Sequence, residues 1–216
     1  AFLMLILLSG LCFSQQDLEL RIVNDTVKKV SKFDEKTIVY SLKNVSDKTY
    51  VIILDSKEFN EDGDNQVEPM YIGFPDYYIF EKKTLLSSEM AFHNGENEFA
   101  VDKNSRDFKK FSRTYSKIFD RQDLETAFRI SQNIVKLKPN EEKYFSTKIN
   151  FPAYKRRFVN LKNKSEYYFQ ISLQKTAEIV NKFYSPIKEK NSDVIFTGQI
   201  FSQKIPLIYE VYNDKY

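Results

Sequence analysis

Apolar side chains recur at every second position in several separate stretches of this chain, and that period decides the fold class. Residues 166–174 (EYYFQISLQ) put Tyr167, Phe169, Ile171 and Leu173 on one side, and residues 17–24 (DLELRIVN) do the same with Leu18, Leu20 and Ile22. Successive side chains of a strand point to opposite faces, so this spacing describes strands with one face against a core. Residues 35–43 (EKTIVYSLK) and 49–55 (TYVIILD) flank the polar cluster Asn44-Val45-Ser46-Asp47-Lys48 and are expected to pair across it. Residues 134–138 run into a turn at Pro139-Asn140-Glu141, and strand character resumes over 143–151. Residues 194–201 and 204–212 complete the set, with Pro206 marking the last as an edge strand or a broken one.

Two segments carry the other period. Phe108, Phe111, Tyr115, Ile118 and Phe119 recur at three- and four-residue spacing, and Leu124, Ala127, Phe128 and Ser131 continue the stripe beyond Asp120-Arg121. That is an amphipathic helix or a pair of short ones, with Asn104 or Ser105 as cap. Residues 176–184 form a second helical candidate, ended before Pro186. Both lie between strand runs and read as insertions into a β framework.

The order of parts resembles the immunoglobulin-like β-sandwich modules of secreted bacterial proteins. Three stretches carry the resemblance: TIVYSLKNVSDKTYVIILD at 37–55, IVKLKPNEEKYFSTKINFP at 134–152 and FTGQIFSQKIPLIY at 196–209, about half the chain. It implies a mainly β fold, an antiparallel sandwich with one or two helical insertions, and a habit of binding or spacing. It implies no catalytic residues. The Cys–Trp–Cys hallmark of antibody domains is absent, since the chain has one Cys and no Trp.

Residues 1–13 (AFLMLILLSGLCF) are apolar and uncharged, too short to cross a bilayer as a helix and fitting the core of a secretory signal. Cys12 and Ser14 are the small residues that signal peptidase needs three and one positions before a cut at Gln15. The expected division is a signal peptide over 1–14 and a single β-sandwich domain over 15–216, with the helical insertion near 104–131. Lipidation of Cys12 is the rival, disfavoured because Leu11 stands where a lipoprotein box has a small residue. A chain cut there keeps no cysteine and depends on its apolar core, which points to a secreted or periplasmic bacterial protein. Asn24, Asn44 and Asn163 head Asn-x-Ser/Thr sequons, glycan acceptors only in a eukaryotic secretory pathway.

Few chemistries are open to such a chain. His93 is the one histidine, no Gly-x-Ser-x-Gly elbow is present, and the five glycines are scattered rather than gathered into a phosphate loop. One His and one Cys also disfavour zinc. The nearest approach to a cofactor site is calcium at residues 58–68 (EFNEDGDNQVE), with oxygens from Glu58, Asn60, Asp62, Asp64 and Glu68. An EF-hand register with Gly63 as the turn glycine fails at Asn65 and at Pro69, where an apolar residue and the bidentate Glu belong. A solvated acidic loop accounts for the same residues.

The formal charge of +3 hides a division: residues 17–100 sum to −7 and residues 101–216 to +10. The densest basic stretch, 154–164 (YKRRFVNLKNK), offers Lys155, Arg156, Arg157, Lys162 and Lys164 as a contact surface for lipid phosphate or an acidic protein. The helix in 104–131 is a second contact candidate. Nucleic acid is a poor partner for an exported chain without a reader motif. The sequence therefore reads as a non-enzymatic, exported binding or structural protein of the cell envelope, with no transmembrane span. A carbohydrate-binding module or weak glycan-processing enzyme using its Tyr-rich faces is the alternative, and a protease-inhibitor-like sandwich presenting loop 58–76 is the third reading.

Overall fold

A computed structural model of the chain describes residues 17–30, 34–60, 72–90, 101–154, 157–188 and 193–211. In chain order its elements begin with β1 (Leu18–Ile22), β2 (Val27–Lys29), β3 (Lys36–Asn44), β4 (Tyr50–Ile53), β5 (Asp76–Glu81), β6 (Thr84–Leu85) and β7 (Glu89–Met90). Helices α1 (Arg106–Tyr115) and α2 (Arg121–Gln132) follow, then β8 (Ile134–Leu137), β9 (Glu142–Ile149), β10 (Ala153–Tyr154), β11 (Arg157–Phe158) and β12 (Tyr167–Lys175). A helical segment, α3 (Ala177–Ile179), passes into a π turn at Val180–Tyr184, and β13 (Val194–Ile195), β14 (Gly198–Phe201) and β15 (Ile205–Tyr209) close the order.

The fold is mainly β, with antiparallel and mixed sheets. One sheet runs β1-β3-β9; a larger one runs β2-β15-β12-β5-β6, with β14 also paired to β12; a third runs β13-β4-β8, and β10-β11-β7 form a small fourth. Two pairings, β2 with β15 and β13 with β4, are parallel, which departs from the wholly antiparallel expectation. β1 lies on the first sheet and β2, a few residues further on, lies on the second, where it pairs with β15.

The period-2 reading of β1 and β12 holds. Leu18, Leu20 and Ile22 are buried with exposed neighbours between them, and Phe169, Ile171 and Leu173 are fully buried. Burying each such side chain stabilises by roughly 1.5–3 kcal/mol. Around Phe59 the rings of Tyr40, Tyr77 and Phe169 pack at centroid distances of 6.2 Å, so both large sheets and the segment after β4 meet in one aromatic centre.

β4 is the strand between two cores. Tyr50 and Ile52 join the main apolar cluster, while Ile53 joins a second one made with Phe108, Phe119, Leu124, Ala127 and Ile130 of the helical layer. A strand covered on both faces needs an unbroken apolar run, which is why TYVIIL lacks alternation. At its start the Tyr50 hydroxyl donates to the Asp17 carboxylate, and burial, reinforced by that carboxylate, pushes the phenol up to about 12.

Three local expectations are corrected. β3 and β4 do not pair across 44–48: β3 lies between β1 and β9, and β4 between β13 and β8. The Asn44 cluster is a corner that carries the chain from one sheet to another. Fully buried, Asn44 shares its side-chain amide N–H groups among the carbonyls of Lys48 (2.7 Å), Leu137 (3.1 Å) and Lys138 (3.0 Å), while its Oδ1 accepts from Ser46 N–H at 3.0 Å. That nitrogen is unavailable as a glycan acceptor. The run 194–201 is divided into β13 and β14, with Gly198 at φ +113° opening the latter. β15 is an inner strand, and Pro206 is tolerated because β2 pairs only with Leu207–Tyr209, leaving that side of Pro206 open.

Candidate functional site

The two helices form where the apolar stripe placed them, and their ends explain the division. Ser105 caps α1, its Oγ accepting from Phe108 N–H at 3.2 Å, and Asp120 caps α2, accepting from Asp123 N–H at 2.8 Å. Each satisfies a backbone donor that the first turn leaves without an intrahelical partner. Asp107 in the first turn and Arg113 in the last suit the helix dipole. Phe108 and Phe111 turn inward onto Phe128 of α2, at 5.2 Å and 5.4 Å between centroids. The π turn rests on α2 as well, with Lys182 paired to Asp123 at 3.0 Å.

Fixing Phe108, Phe111 and Tyr115 inward fixes what faces out. Arg106, Lys109, Lys110 and Arg113 occupy positions i, i+3, i+4 and i+7 on the opposite side, all exposed. Together with Asn104 they line a shallow groove of about 400 Å³. The stripe extends about 10 Å along the helix at 1.5 Å per residue. Among the described residues none of the four cations is in an ion pair within 4.0 Å, whereas nearby Lys103 is paired with Glu125 at 2.7 Å.

Beside the N-terminal end of α1, a cleft of about 310 Å³ runs between α2 and the end of β4. Asp55, Arg129, Phe74 and Asn133 are among the residues that line it. Asp55 is buried and committed to the fold: Oδ1 accepts from Lys57 N–H at 3.2 Å and Oδ2 from Asn133 Nδ2 at 3.0 Å. The Arg129 guanidinium lies 6.0 Å from the Phe74 ring centroid; burial lowers its pKa, and the Asp55 charge opposes that shift. Gly73, at φ +106°, lets its carbonyl accept from Asp55 N–H at 2.9 Å. These contacts lock β4 to α2 as a polar joint.

The residues singled out in the sequence are distributed unevenly. Lys155 and Arg156 lie outside the described residues, as does the side chain of Arg157, whose backbone in β11 faces Tyr154 and Met90. Lys162 and Lys164 are exposed in the turn before β12, with Lys164 at φ +66° and Lys162 N–H donating to the Tyr167 hydroxyl at 2.8 Å. Of the calcium candidates, Asp62, Asp64 and Glu68 lie outside the described residues, and so does His93. Asn60 turns inward, donating to Asp76 Oδ1 at 2.8 Å. Among the described residues no group of three His, Cys, Asp or Glu side chains is placed to hold a metal ion.

The helix over 104–131 is a contact candidate from the sequence, but charge density does not single out its four cations, because acidic and apolar residues interrupt them in sequence. Their signal is the i, i+3, i+4, i+7 spacing, complementary to the apolar stripe. A scan of protein-family models finds no match to the chain, and a search of curated proteins finds no relative. Among the described residues no helix is long and apolar enough to cross a membrane.

Proposed function

We propose that this chain is a non-enzymatic binding protein exported to the bacterial envelope, and that α1 docks it on an anionic, phosphate-bearing lipid surface. The observation that carries the reading is the cation stripe of Arg106, Lys109, Lys110 and Arg113, set opposite the aromatic face of buried Phe108 and half-buried Phe111 and Tyr115. Lysine and arginine near an anionic membrane surface contribute about 1 kcal/mol each, and guanidinium groups bind phosphate oxygens in a planar fork. Four such groups on one rigid helix give useful affinity with little ordering cost.

The scaffold is read as an immunoglobulin-like sandwich. In chain order β1, β3 and β9 take the places of strands A, B and E, while β5, β12 and β15 take those of C, F and G on the opposing sheet. The sheet β13-β4-β8 is then an addition that packs on the main core through Tyr50, Ile52 and Leu137 and meets the helices through Ile53. The single histidine and the lack of a nucleophile motif favour binding over catalysis.

Flotation with vesicles of mixed phosphatidylglycerol and phosphatidylcholine tests this. The intact chain is expected to float with the mixed vesicles and not with pure phosphatidylcholine, and the double variant R106E/K110E is expected to stay in the bottom fraction with its circular dichroism unchanged. Equal flotation of the intact chain and the variant rejects α1 as the contact surface.

A further inference from the structure

The strands that bury Tyr167 and Leu207 in the core turn their neighbours Tyr168 and Pro206 to the outer face of the large sheet, and register gathers apolar side chains there. Pro206 lies opposite Tyr168, Tyr168 opposite Phe80, and Phe80 opposite Leu85, so one row crosses the four strands β15, β12, β5 and β6. Pro206 and Leu85 at its ends are exposed, Leu85 by 52%, and Tyr168 and Phe80 between them are half-buried. Ile208, 38% exposed, adds to the same face two residues beyond Pro206. Single apolar residues on a surface are ordinary, but a contiguous set of them points to a contact surface.

The charges beside the row indicate what covers it. β12 and β15 are antiparallel, so Glu166, two residues before Tyr168, and Lys204, two before Pro206, stand on opposite sides of the row, both exposed. The Glu166 carboxylate accepts from the Tyr168 hydroxyl, and Lys204 Nζ lies 3.3 Å from the centroid of the Phe80 ring, so each charge is drawn in toward the row. Among the described residues neither is in an ion pair. A partner of one charge sign matches only one of them, whereas a second copy of the same face matches both. A two-fold axis laid along the row sets each of its four apolar residues against its own counterpart and turns the Glu166 side of each copy over the Lys204 side of the other. Two Glu166–Lys204 pairs then flank the row, and Ile208 meets the aliphatic stem of Lys204. The row spans about 14 Å across four strands, and the face between the two charges measures about 14 Å along them. A contact of that extent stands at the low end for specific interfaces, where each partner gives about 600 Å² or less, so the association is weak and depends on concentration.

We infer that the outer face of the large sheet joins two copies of this chain in a weak, symmetric dimer, closed by reciprocal Glu166–Lys204 pairs. The inference is independent of the role given to α1. Sedimentation velocity of the intact chain from micromolar to near-millimolar concentration tests it, with Leu85→Lys, Glu166→Lys, Lys204→Glu and R106E/K110E alongside. The intact chain and R106E/K110E are expected to pass from monomer to dimer as concentration rises, and Leu85→Lys to stay monomeric. Glu166→Lys and Lys204→Glu each set like charges against one another and are expected to dimerise roughly tenfold more weakly. An equal mixture of those two variants is expected to recover the dimer, because the mixed pair joins opposite charges at both positions, a rescue that mere damage to the fold does not give. An intact chain that stays monomeric throughout overturns the inference, as do charge variants that dimerise like the parent or a mixture no better than either alone. A dimer that R106E/K110E dissociates also overturns it, because the contact then lies on α1.

Discussion

Asn44 donates through its side-chain nitrogen to the carbonyls of Leu137 and Lys138, more than ninety positions along the chain. Two sheet-to-sheet corners, the one between β3 and β4 and the one between β8 and β9, are thereby joined at a fully buried amide. The backbone adds to it, with Asn44 N–H donating to the Glu141 carbonyl at 2.9 Å.

Removing that amide takes a donor from the buried Leu137 carbonyl and from the carbonyls of Lys48 and Lys138, the last of which keeps Glu141 N–H, and a buried group left without a partner costs about 1–3 kcal/mol. Asn44→Ala is expected to lower unfolding stability by roughly 2–4 kcal/mol, with Asn44→Asp at least as damaging because it replaces the donor by a buried charge. Urea unfolding followed by circular dichroism measures this; a loss below about 0.5 kcal/mol refutes the bracket role.

Lys175 is buried at the end of β12, with Nζ donating to the Gln174 carbonyl at 2.7 Å. Burial pushes its pKa down to about 8 from 10.5, against the pull of Asp76. A lowered folded-state value means that the unfolded chain holds the proton more tightly, so the destabilisation is full below about pH 8 and relieved as pH rises toward about 10.5. At 1.36 kcal/mol per pKa unit it amounts to roughly 3 kcal/mol. Lys175→Met is expected to be more stable than the parent at pH 7, with the difference shrinking between pH 8 and pH 10.5. Paired urea titrations across that window decide it, and a gap that does not change with pH contradicts the assignment.

The Ser105 cap orients the first turn of α1, where Arg106 stands. Ser105→Ala is expected to cost about 1 kcal/mol, and Ser105→Asp to restore the loss through the same acceptor geometry. Thermal melts of the three proteins check this, with equal melting of Ser105→Ala and the parent as the contrary result.

Much of the fold was legible because its signals are local. The alternation of β1 and β12 is a property of neighbouring residues, and so is the helical stripe with its interruption at Asp120, the residue that caps α2. Pairing was less legible. The polar cluster at 44–48 looks like a hairpin turn because corner and hairpin both need Asn, Ser and Asp; only the Asn44 contacts with 137–138 separate them, and those are long-range. Tyr50, Ile52 and Ile53 show the same limit, since a continuous apolar run does not say which core receives which side chain. For the site, charge density in sequence pointed to 154–164, whereas the α1 cations cluster only once the helix is wound.

The salt dependence of vesicle binding tests the central claim most directly. Exposed cations opposite a charged surface are screened over about 10 Å at 0.1 M salt, so affinity carried by the α1 stripe falls steeply as ionic strength rises. The dissociation constant of the intact chain for phosphatidylglycerol-containing vesicles, measured from low to high salt, is expected to climb by orders of magnitude, with R106E/K110E weak and nearly flat throughout. Affinity that salt leaves unchanged, or a variant that follows the same curve as the intact chain, contradicts the claim.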